Sequence, residues 1–399
     1  MINLDLPDTA TTAELRSARD AAFAALGRLD GAIAGLGPEA CGIFAARVVT
    51  ECVIDALRVE RHAFTEARFV AWRAGVVTLS DEATNRQRSP VQIASAVVGE
   101  LISHEWQPLA EAADAFATIA RPLRRGPGSA EEPDPVDDLW RAFELAGEVT
   151  TSPGGSDLAL RYADLARRHA VFAPQESQLR TFGDGVFRRS YELAPTAPPT
   201  WAFSLYAGLV LKADSLLRHA VPLPRAIVAH ALRSDVDEAE RRLAHYAVVE
   251  RAARELSRMA EEARVADAAI REGCSSLRSS SRAPLLALHL AGLGALRSDQ
   301  IERALGVSRA GVHGMIANLR ATGLVTTTQV SGVKLHALTA NTPIGGRVGS
   351  TPQTPSAGLS KVALVEFDTA MAALDRLVPP DDARSHCHRP LLRGGFAQE

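Results

Sequence analysis

Arg309 and His313 stand four residues apart, one turn of an α-helix, with Ala310, Gly314 and Ala317 beside them. A guanidinium can bond two acceptors on the edge of guanine, and a neutral imidazole can donate or accept at a base. Small residues among such groups let a helix backbone come close to whatever they address. The chemistry suggested is recognition by hydrogen bonding, not bond making. Ser308, directly before Arg309, has the hydroxyl that caps a helix start, so Arg309 is expected in the first turn, where a recognition helix meets base edges. The expected contact set is Ser298, Ser308, Arg309, Ala310, His313, Gly314 and Ala317, with Arg320, Lys334 and His336 reaching backbone phosphate or the minor groove.

These residues need elements to hold them. Residues 283–296 supply a first apolar helix. Ser298 is expected to cap a second, with Asp299 in its first turn and Ile301, Ala304 and Leu305 on its buried face. Gly306 suits the left-handed residue after a helix, Val307 plugs the corner, and Ser308 starts the third helix. There Val312, Ile316 and Leu319 recur at four and three residues and must face inward. Gly311 and Gly314 cost that helix about 1 kcal/mol each relative to Ala, which fits either close approach to a groove or close packing on another helix. After Gly323, "LVTTTQV", Ser331-Gly332 and "VKLHALT" read as a β-hairpin. Three helices and a hairpin make a winged helix-turn-helix over residues 282–340.

Charge supports the same division. From residue 274 to 349 there are eight basic residues and two acids, Asp299 and Glu302, a net charge of +6 that leaves −9 for the rest of a chain whose total is −3. A basic module on an acidic body is the asymmetry of a chain in which one part meets a polyanion. Nearly all the positive charge is Arg, since Lys occurs only at 212, 334 and 361.

The rest of the 399-residue chain reads as mostly α: a helical body over residues 1–125, a linker at 126–136, a middle helical region at 137–232, a long helix at 233–273, a linker at 341–358, a helix at 359–378 and a disordered tail at 379–399. Within the body, helices are expected at 12–36, 39–61 and 90–120, the last interrupted at Pro108, with strand character at 76–79. In the long helix, capped by Ser234, apolar residues from Val236 to Ile270 follow alternating three- and four-residue steps. Such a seam serves a dimerising coiled coil or a helix packed on its own domain; its many Ala residues and the acids Glu250 and Asp267 favour the second. Cys41, Cys52, Cys274 and Cys387 are widely spaced, which argues against a disulfide framework or a zinc site. No secretory signal or membrane span is read, so a cytoplasmic protein is expected.

Catalytic signatures are weak. There is no phosphate-binding loop of the G-x-x-x-x-G-K type, no G-x-S-x-G elbow and no H-E-x-x-H zinc helix. His386, Cys387 and His388 lie in the expected tail and read as solvated, and His104-Glu105 as an ordinary surface pair. No catalysis, metal or cofactor is expected.

The stretch from Ser298 to Val325 resembles bacterial helix-turn-helix regulators. Together with "LGRLDGAI" (26–33), "ECVIDALRVERHAFTE" (51–66) and "FDTAMAALDRL" (367–377), the layout resembles one family of bacterial proteins of unassigned role, many of them plasmid-borne in plant-associated bacteria. Their N-terminal part is distantly similar to the helical N-terminal region of Fic-domain proteins. The resemblance implies a DNA-binding C-terminal domain and no substrate. Nucleotide transfer of the Fic kind needs a His beside a Gly-Asn-Gly anion loop; "FGDGVFRR" (182–189) has no such His and reads as a turn. The expectation is a transcriptional regulator bound to double-stranded DNA, as a dimer, with a small-molecule or protein effector on the body. The competing readings are an interaction scaffold whose winged helix binds protein only, and a degenerate Fic-related enzyme.

Overall fold

The structure is a computed structural model and describes residues 9–79, 88–123, 136–151, 158–173, 178–182, 189–193, 197–227, 229–232 and 236–339. Among them are twelve α-helices and two antiparallel hairpins. The linker at 341–358, the helix expected at 359–378, the tail with His386–His388, Ser234 and most of the 126–136 linker lie outside the described residues.

The body is built around α2 (Pro38–Val59), whose Ile43, Phe44, Val48, Val49, Cys52, Val53 and Leu57 are all buried. A helix apolar on so much of its circumference needs neighbours on several sides. It finds them in α4 (Pro90–Ile102), α5 (Gln107–Ile119), α8 (Trp201–Ala213), α9 (Glu238–Gly273) and α10 (Ala283–Leu293). A buried ion pair closes the end of α2: Arg88 Nη1 lies 2.6 Å from Glu60 Oε1, which also accepts from Trp201 Nε1 at 3.1 Å. Removing one partner of such a pair strands a buried charge and costs about 3–5 kcal/mol.

The long helix α9 has 36 residues, and its N-cap is Asp237, whose carboxylate accepts from Glu240 N at 3.1 Å. Its apolar stripe, including Val249, Ala252, Leu256, Met259, Ala263 and Ile270, is buried against α1 (Thr9–Ala34), α2 and α10 of the same chain. Small Ala residues let α1 run closely alongside it. The seam therefore serves packing within the chain.

Three features differ from the sequence reading. The helix expected at 90–120 is interrupted, as expected, but the break falls at residues 103–106, between α4 and α5, and not at Pro108. Pro108 sits in the first turn of α5, where its missing N–H breaks no bond. Residues 76–79 form no strand; α3 (Glu66–Arg73), capped by Thr65, occupies the preceding stretch and a turn at Gly75 follows it. A hairpin was not expected between α7 (Leu158–Arg168) and α8, yet β1 (Gln178–Phe182) pairs antiparallel with β2 (Arg189–Leu193), Gln178 opposite Leu193. The Gly-Asp-Gly at 183–185 falls between these strands and outside the described residues.

The C-terminal part is a winged helix-turn-helix in the order α10, α11 (Ser298–Leu305), α12 (Arg309–Ala321), β3 (Val325–Val330), β4 (Val333–Leu338). β3 and β4 are joined at Ser331 (φ 47°) and Gly332 (φ 79°), both left-handed, as a tight two-residue hairpin turn requires. Leu296, between α10 and α11, adds a bridge to His336 and makes a third strand position beside β4. No helix among the described residues is long and apolar enough to cross a membrane.

Candidate nucleic-acid interface

The turn between α11 and α12 forms as its residues dictate. Gly306 adopts φ 59°, ψ 41°, and its N–H and that of Val307 donate back to the Arg303 and Glu302 carbonyls at 3.3 and 3.0 Å. Ser308 is extended, and its hydroxyl accepts from Gly311 N at 3.3 Å, capping α12. In α12, Val312, Met315, Ile316 and Leu319 are buried. Ser308, Arg309, Ala310, His313, Gly314, Ala317 and Arg320 are all exposed. A Cβ built on Gly314 meets nothing within 4 Å, so no packing in the chain calls for glycine there.

His313 turns its ring along the helix: Nδ1–H donates to the Arg309 carbonyl at 2.8 Å, which leaves Nε2 for another partner, as an acceptor when the ring is neutral. The Arg320 guanidinium donates to the Thr327 hydroxyl, tying the end of α12 to β3. Lys334 is exposed on β4. Among the described residues, Arg309, Arg320 and Lys334 enter no ion pair.

Two expected contact residues are placed elsewhere. His336 is buried, at 5% exposure, inside the root of the wing. The Thr327 hydroxyl, which accepts from Arg320, is hydrogen-bonded to His336 Nδ1 at 2.8 Å, and His336 Nε2 to the Ser298 hydroxyl at 3.2 Å. Strand alternation puts Lys334 and His336 on one face, but Leu296 pairs along the edge of β4 at His336 and Ser298, at the start of α11, reaches the His336 ring, so β4 is buried from residue 335 onward while Lys334 stays exposed. Burial, then the nearby charges of Arg320, His313 and Lys334, lower the His336 pKa to about 4, so its ring is neutral at pH 7. Ser298 is accordingly the first residue of α11 and a partner of His336. The cap position belongs to Arg297, whose N–H donates to Gln300 Oε1 at 2.9 Å.

The opposite side of the winged helix is built into the body. Gln300 is fully buried and its amide donates to the carbonyls of Ile119 at 2.7 Å and Arg73 at 3.3 Å. Arg297 and Arg303 donate to the carbonyls of Ala74 and Thr118 at 3.2 and 3.4 Å. In return Arg73, 1% exposed and stacked over Phe116, donates to the Ala295 carbonyl at 3.3 Å. Burial lowers the pKa of Arg73 to about 10, still charged at pH 7. Gly292 meets α2 so closely that a Cβ would lie 2.8 Å from that of Ala46. Sequence reasoning missed Gln300. Its signal was the Gln three residues after a helix-capping position.

The histidine-carboxylate neighbours elsewhere make their hydrogen bonds to other residues. Glu105 pairs with Lys212 at 2.5 Å, while His104 Nδ1 accepts from Trp106 N at 3.1 Å. Burial lowers the His104 pKa to about 4. No known family model matches the chain, and no curated protein matches it.

Proposed function

We propose that the chain binds double-stranded DNA through α12 and the wing, and regulates transcription in the cytoplasm. The observation that carries this reading is the outward face of α12. Arg309, Ala310, His313, Gly314 and Ala317 are exposed together, beside exposed Arg320 and Lys334 that no acid among the described residues neutralises. Arg309 supplies bidentate donors for guanine in the first turn, His313 an acceptor one turn on, and Arg320 and Lys334 contacts to phosphate. As a dimer the protein would set two such helices on half-sites about 34 Å apart. The resemblance to bacterial helix-turn-helix regulators agrees with this reading.

The test is selection of bound fragments from random DNA, followed by titration of the selected duplex. Arg309→Ala is expected to weaken that duplex by about 1–3 kcal/mol and to relax preference at one base pair. Wild-type affinity and preference in Arg309→Ala would overturn the docking of α12.

A further inference from the structure

The cations of the winged helix fall into two groups. Arg297 and Arg303 pair with Asp299 at 3.2 and 2.9 Å and donate to body carbonyls, so their charge is used inside the fold. The others among the described residues are exposed, and two of them, Arg278 and Arg282, precede α10. Residues 274–282 join α9 to α10. At their start Gly273 lies against Leu324, just after α12: a Cβ there would come within 2.8 Å of Leu324 Cδ1. At their end Arg282 Nη1 donates to the carbonyl of Leu305, the last residue of α11, at 3.2 Å. The segment therefore passes from one end of α12 to the other, carrying Arg278 and Arg282, both exposed and in no ion pair among the described residues. The bond to Leu305 uses one of the five donors of Arg282. Arg320 and Lys334 occupy the other end, by the wing.

α12 has 13 residues, which makes it about 20 Å long. The major groove is about 12 Å wide, and with the first turn of α12 at the base edges groups beside either end of the helix lie within reach of the phosphates that line the groove. We propose that Arg282, with Arg278, is a phosphate contact at the N-terminal end of α12, so that the DNA backbone is held at both ends of the helix. This rests on the DNA-binding reading and adds to it a contact that carries affinity without sequence preference.

The experiment is fluorescence anisotropy of the full chain on the selected duplex and on a random duplex of equal length, across roughly 50–200 mM salt. Arg282→Gln keeps a donor for the Leu305 carbonyl and removes the charge. Its log-log salt slope is expected to fall by about 0.9, one phosphate, on both duplexes, with their affinity ratio unchanged. Arg278→Gln, whose side chain makes no hydrogen bond among the described residues, repeats the test without touching the turn. Arg303→Gln is expected to keep the wild-type slope. A wild-type slope in both Arg282→Gln and Arg278→Gln, or an equal fall in Arg303→Gln, overturns the proposal. If Arg309→Ala relaxes preference while Arg282→Gln and Arg278→Gln change nothing, this inference alone fails; if no duplex is bound by any form, the DNA-binding reading fails with it.

Discussion

On the DNA-binding reading, Gly314 is a glycine that serves the interface and not the packing of the fold. Its place in the interior of α12 costs stability, and the space beside it is open, so nothing in the fold benefits. Gly314→Ala is expected to raise the stability of the chain by about 1 kcal/mol in a denaturant titration. The same variant is expected to weaken DNA binding, because the added methyl stands between the helix and the groove. Higher stability with undiminished binding would remove Gly314 from the interface. Gly292 is the counter-case: the approach of Ala46 requires it, so Gly292→Ala is expected to destabilise.

At the scale of elements, the root of the wing is packed around the neutral imidazole of His336. His336 titrates near 6.5 when unfolded and near 4 in the fold, so between those values the unfolded chain binds the extra proton. Its contribution to stability is therefore present above about pH 6.5 and is lost as pH falls toward 4. Thermal melts at stepped pH are expected to show this loss, and His336→Asn is expected to flatten it; an unchanged slope in the variant would place the acid sensitivity in other groups, such as the buried His245. The sequence made much of this element scale legible. The inward stripe of α12 follows from Val312, Ile316 and Leu319, and the hairpin turn from Ser331-Gly332. What it hid was the inward position of His336. Alternation along β4 says which residues share a face but not what meets that face, and Ser298, which meets the His336 ring, lies thirty-eight residues away in the chain. The β1–β2 hairpin was hidden because its strands carry no strict alternation.

At the scale of the whole molecule, the winged helix and the body share one packed core. α10 lies on α2 and α9, and the buried amide of Gln300 takes its acceptors from α3 and α5. A fragment of residues 282–340 is expected to lack a cooperative thermal transition, since it exposes the apolar face of α10 and strands Gln300; circular dichroism of the fragment beside the full chain checks this. A sharp melt for the fragment would show that the body contacts contribute little. The excess of basic residues was legible in composition, but which cations face outward was not, because composition cannot show that Asp299 holds Arg297 and Arg303.

The amide of Gln300 also bears on protein engineering. The two bonds it donates end on carbonyls at the ends of separate helices, so the winged helix is not a cassette. Transplanting it onto another scaffold would mean carrying the ends of α3 and α5 with it, or rebuilding a pair of acceptors in the same positions.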